Sequence, residues 1–193
     1  MVERVLVALG YVSTQPGECK EVLMVQSGKN SDTDIDDNTS VTIHCIDFVT
    51  EGTLEHHYHL NDEAEASATY CGENVSSYLY EPDVTLMKSH AFRHICKVYG
   101  VDKLDADVHL YTSDSLVDNF PGRRFVVEEE LDFSSKMLKT IKRNIPQANI
   151  TSRGFVLTAD ELRKRAGIKD GGSVYLFACT VMGRKVIVKC KKA

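Results

Sequence analysis

The chain has 193 residues, a net charge of −5, 42% hydrophobic and 26% charged side chains. That balance is ordinary for globular proteins and excludes a fibrous or wholly disordered chain, while the length allows one large domain or two of about 100 residues. No run approaches the ~20 apolar residues of a membrane helix, so neither signal peptide nor membrane span is expected and the location is read as cytoplasmic.

Short apolar, β-branched runs at Val2 to Leu9, Cys19 to Val25, Val41 to Val49 and Leu54 to Leu60 predict four strands. The polar stretch Ser27 to Ser40 between the second and third is expected to be a mobile hairpin tip. Pro82 suits a first helical turn, and Leu86, Phe92, Ile95 and Val98 follow at helical spacing, predicting one helix that Gly100 ends. A strand near Val108 to Thr112 and the turn Asn119-Phe120-Pro121-Gly122 lead to a strand at Arg123 to Val127. Ser134 can cap a helix running to about Arg143, followed by a strand near Ala148 to Ser152. Thr158 and Glu161 fit a capping box for a helix over Asp160 to Ala166. Strands at Ser173 to Val181 and Lys185 to Cys190 then form a hairpin around Met182-Gly183-Arg184. The second half therefore reads β-α-β-α-β-β.

Charge divides the chain near residues 114 to 122. Residues 1 to 122 carry a net −14 and residues 123 to 193 a net +9. An asymmetry of this kind suggests that one part faces a polyanion. The basic residues cluster as Arg123-Arg124, Lys139-Lys142-Arg143, Arg153, Arg163-Lys164-Arg165 and Arg184-Lys185, with Lys189, Lys191 and Lys192 near the end. Lys139, Lys142 and Arg143 are three and four apart and share a helix face. Such a face would bind nucleic acid independently of sequence and with strong salt dependence. Phe125, Phe133, Phe155, Tyr175 and Phe177 alternate in a way that indicates core rather than a base-stacking platform, so shape and backbone contacts to RNA are expected.

Catalytic patterns are not found. The chain contains no G-x-G, and its four prolines are never adjacent, so the glycine-rich cofactor turn and the Asp/Asn-Pro-Pro-aromatic motif of amino-methyltransferases are missing from these residues. There is also no G-x-S-x-G and no H-E-x-x-H. Asp32, Asp34 and Asp36 begin a calcium-loop pattern that fails at Asp37 and Ile43. His57 and His59 share a strand face, and His90 and His94 stand one helical turn apart, but no carboxylate or thiolate completes a set, so no metal is expected. Six cysteines without a C-x-x-C are read as reduced, buried thiols.

Three stretches carry a family resemblance: Tyr80-Glu81-Pro82-Asp83 with Lys88 and Phe92; His109-Leu110-Tyr111-Thr112-Ser113 running into Phe120-Pro121-Gly122-Arg123; and Leu157 to Thr180. Together they resemble the C-terminal region of a bacterial class I S-adenosylmethionine-dependent methyltransferase family, a ferredoxin-like domain followed by a THUMP-like domain. The likeness runs from about Glu18 onward and departs at His90, where a small residue is expected, and in a longer acidic tip. It implies an α+β fold, with a ferredoxin-like α/β sandwich over residues 1–120 and a small basic THUMP-like domain over 121–193. It further implies a non-catalytic module that presents RNA to an upstream methyltransferase domain, where S-adenosylmethionine would bind. Its family-motif residues are Tyr80, Glu81, Pro82, Lys88, His109, Tyr111, Pro121 and Gly122. Two other readings stand beside it: a fragment that lends Tyr80, Glu81, His109 or Tyr111 to an active site, and an acidic first domain that binds a basic protein.

Overall fold

A computed structural model of the chain describes residues 3–11, 19–27, 41–49 and 52–193. Nearly all of the expected tip at 27–40, with its aspartates, lies outside the described residues. The chain divides into two compact units, residues 1–68 with 82–98 and residues 69–81 with 99–193.

The first unit is built on strands β1 (Glu3–Tyr11), β2 (Cys19–Ser27), β3 (Val41–Val49) and β4 (Gly52–His59). Their order is β2-β1-β3-β4, with β1 parallel to β3 and the outer pairs antiparallel. All four were legible as β-branched runs. A short helix α1 (Leu60–Glu65), which no periodic pattern announced, follows directly.

The helix expected from Pro82 to Gly100 is instead two. Pro82 is the last residue of a strand, β5 (Tyr78–Pro82), and Asp83 caps the first helix, α2 (Val84–Ser89), by accepting a bond from the Leu86 amide at 2.9 Å. His90 then takes a left-handed conformation at φ 63°, and α3 (Phe92–Tyr99) begins anew. This break corrects the single-helix expectation and separates His90 from His94, which no longer stand a turn apart. Heptad-like spacing alone cannot register one left-handed residue. The break leaves both Leu86 and Ile95 fully buried. It also sits at the position where the family pattern leads one to expect a small residue, as left-handed backbone favours.

In the second unit, β5 joins β6 (Asp102–Asp105), β7 (Val108–Ser113), β8 (Gly122–Asp132), β9 (Asn149–Arg153), β10 (Tyr175–Val181) and β11 (Arg184–Lys192). One seven-stranded sheet results, in the order β6-β7-β5-β8-β11-β10-β9. The sequence-based division at 120/121 thus falls between two strands of a single sheet. Helices α4 (Ser135–Asn144) and α5 (Ala159–Ala166) complete the expected β-α-β-α-β-β order. Ser134 caps α4 by accepting from Met137 N, and the Thr158–Glu161 capping box of α5 has both of its bonds.

Each face of the sheet has its own core. Leu176, Ala178 and Ile187 meet Met137 and Ile141 of α4 and Leu162 and Ala166 of α5. On the opposite face Phe177, Cys179, Val186, Val188 and Phe125 pack with Leu79, Leu104, Val108 and Leu110 from the first strands. The strand alternation that sends odd and even residues to opposite sides makes this division. The sheet curls, bringing β6 near β10 and β7 near β9, and the turn after β10 is tied to β6: Met182 N donates to Leu104 O at 3.0 Å and Gly183 N to Asp105 Oδ2 at 2.8 Å.

Candidate nucleic-acid interface

The eleven basic residues predicted to contact RNA separate into two groups once their partners are known. Arg123 and Arg153 both bond Glu81, with Arg123 Nε at 2.8 Å from Oε2 and Arg153 Nη2 at 2.8 Å from Oε1. Arg124 pairs with Asp118, Arg163 with Asp160 at 2.5 Å and Asp170 at 2.7 Å, and Arg184 with Glu130 at 2.8 Å and Asp132 at 2.9 Å. Lys185 Nζ donates to Gly154 O and Thr180 Oγ1 at 3.2 and 2.6 Å. These six cations are engaged with the protein itself.

The other five, Lys139, Lys142, Arg143, Lys164 and Arg165, are exposed and form no ion pair among the described residues. All lie on α4 and α5. Two more exposed cations of the same kind, Lys136 on α4 and Lys169 after α5, were missed in the sequence clusters. Helix α4 contains four cations and no carboxylate. Met137 and Ile141 face the core, so Lys136, Lys139 and Arg143, spaced three and four apart, form the solvent stripe. Lys142 reaches across to α5: a Cβ built at Gly167 would lie 3.1 Å from Lys142 Cε. There its charge sits at the carboxyl end of α5, where free carbonyls favour a cation.

The family-motif residues are placed differently. Tyr80 and Tyr111 are fully buried beside Phe120, and the Tyr80 hydroxyl bonds Ser113 Oγ at 2.8 Å and accepts from Val117 N at 3.0 Å. These are core positions. His109 is half-buried on β7, Lys88 is exposed in the last turn of α2, Pro82 ends β5, Pro121 directly precedes β8 and Gly122 opens it. Glu81 is the exception, a buried carboxylate with its side chain 7% exposed, held by two arginines that are 50% and 47% exposed.

Beside Arg153 an open groove of about 520 Å³ runs between β9 and the start of α5, lined by Ile150, Thr151, Phe155, Val156 and Leu157 among others. Its one carboxylate, Glu161, accepts from both the amide and the hydroxyl of Thr158. Those bonds hold the Glu161 carboxyl below its ordinary range. No group of three His, Cys, Asp or Glu is placed to hold a metal among the described residues. Nor is any described helix long and apolar enough to cross a membrane.

A model of a ferredoxin-like domain matches residues 78–121, and one described as THUMP domain-like matches residues 122–192. No curated protein matches the chain. A crystal structure titled "putative methyltransferase from Porphyromonas gingivalis W83" is similar over 97% of this chain, at 34% identity and a TM-score of 0.85. The chain spans 45% of that protein's length. The chain is thus an α+β protein in which a region that matches a ferredoxin-like domain, residues 78–121, is followed by a region that matches a THUMP-like domain, residues 122–192.

Proposed function

We propose that the chain is a non-catalytic, RNA-binding and substrate-presenting part of an S-adenosylmethionine-dependent methyltransferase, acting in the cytoplasm. The observation that carries the reading is helix α4, with four exposed cations and no carboxylate, beside Lys164 and Arg165 of α5, which are exposed and form no ion pair among the described residues although Glu161 lies near them. Like charges three and four apart on a helix cost stability, so a stripe of them is better explained by an external anion than by the fold. The match to part of a methyltransferase-named protein supplies the context. We assign cofactor and transfer chemistry to a domain upstream of these residues. The groove beside Arg153 fits S-adenosylmethionine poorly, because Glu161 is committed to Thr158 and no other carboxylate lines the groove for ribose hydroxyls.

The test is salt-titrated binding to a structured RNA. Each neutralised phosphate contributes about 0.7 to 0.9 to the log–log salt slope. Replacing Lys136, Lys139 and Arg143 by alanine should lower that slope by about 2 to 2.7 while leaving the fold intact, since each exposed change costs less than ~0.5 kcal/mol. The variant combining Lys164→Ala and Arg165→Ala is the parallel test on α5. Absence of salt-dependent binding at low ionic strength, with capture of a basic protein by the acidic residues, would replace this reading by a protein-interaction module.

A further inference from the structure

Glu81, Arg123 and Arg153 come from three different strands, β5, β8 and β9, and meet at one place. A buried carboxylate needs a cationic partner, and one arginine would suffice. The second guanidinium leaves a surplus positive charge. Each arginine is about half exposed while bonded to Glu81, and Arg153 Nη1 also donates to Ser152 O, so both side chains are held in place with part of their surface open to solvent. That is the preparation a phosphate site requires: two planar donors whose conformational freedom has already been removed by the protein.

The groove adjoins this pair. Arg153 belongs to both, as the last residue of β9 and a wall of the 520 Å³ space. A volume of this order suits a small organic group. Val156 stands at its wall 63% exposed, an apolar surface in the same groove as Arg153. Phe155, packed edge-on against Phe133 at 4.9 Å, stiffens the same loop.

We propose that Arg123 and Arg153, positioned by Glu81, clamp a phosphate of single-stranded RNA, and that the adjoining groove from Ile150 to Ala159 takes the neighbouring unpaired base. The proposal rests on the RNA-binding reading and deepens it. An unpaired strand is the occupant because only a splayed base can enter a concave groove, whereas a duplex would present stacked pairs. The α4 stripe supplies general attraction, and the clamp selects the unpaired end or loop.

The experiment is fluorescence anisotropy of the full chain with a short labelled oligouridylate and, separately, a short RNA duplex, across a salt series. Two variants act on the clamp without removing the partner of Glu81 or a core side chain. One combines Arg123→Lys with Arg153→Lys, keeping charge but losing the planar forks; the other is Val156→Glu, at an exposed position. Each should weaken oligouridylate binding about tenfold, with much smaller effects on the duplex, and Val156→Glu, which leaves the bonds of Glu81 intact, should also leave the melting temperature unchanged. If both bind oligouridylate as tightly as the parent while the α4 alanine variant loses affinity, the clamp is refuted and the RNA-binding reading stands. If the parent binds neither RNA, both fall together.

Discussion

Alanine at Gly154 would test the curl of the second unit, on which the position of Arg153 depends. Gly154 has φ 56°, and a Cβ placed there would lie 2.6 Å from Cγ2 of Val108, which is almost fully buried in the core. Its carbonyl is bonded by Thr180 and Lys185, so the turn is not free to move aside. Valine has one stiff rotatable bond and cannot easily retreat. Left-handed backbone costs an alanine about 1 kcal/mol, and overpacking adds about 1–3 kcal/mol, together about 2–4 kcal/mol. For a chain of this size each kcal/mol lowers Tm by about 2–4 °C, so a fall of about 4–16 °C is expected by calorimetry or circular dichroism. Gly100→Ala is the internal control. Gly100 has φ 62° but nothing within 4 Å of its added Cβ, so that variant should lose only the backbone contribution. Equal losses for the two variants would show that the β9–α5 turn does not abut β7, and the curled arrangement would be wrong.

Two further outcomes follow from burial. His56 and His94, with ring centroids 5.5 Å apart, are both held below the ordinary histidine pKa, first by burial and, for His56, next by the neighbouring ring. Asp83 beside His56, and Asp62 and Glu63 beside His94, oppose the shift, while His57 and Lys97 add to it. The unfolded chain therefore takes up protons first as pH falls. The stabilisation is complete above about pH 6.5 and declines as pH drops from there toward the lowered folded values. Melting between pH 7.5 and 5.5 should fall accordingly, and His94→Phe should flatten the dependence; a flat profile for the parent refutes the assignment. Burial also pushes the Cys71 thiol up to about 11, Cys190 to about 12 and Cys179 higher still. Labelling by a thiol reagent at pH 8, read by peptide mass spectrometry, should reach these three only as fast as the unit unfolds, and rapid modification of Cys179 in the native protein would contradict its burial.

Local signals in the sequence were enough for the helices of the second unit and its closing hairpin. Ser134 and the Thr158–Glu161 pair satisfy amides within three residues of themselves, and the alternation around Met182-Gly183 needs only neighbouring strands, so no distant contact had to be known. The four strands of the first unit were readable for the same reason, as β-branched runs between polar stretches. Where the outcome depended on one residue's backbone or on distant partners, the sequence was mute. The left-handed His90 splits a periodic segment without disturbing its period, and β5 sat under a proline that suits a helix start equally well. The basic clusters were visible, but which cations pair with a carboxylate of the protein was not. Glu81 meets Arg123 and Arg153 across 42 and 72 residues. Only the strand order brings them together, because ion pairing is decided by distances in the folded sheet and leaves no periodic trace along the chain.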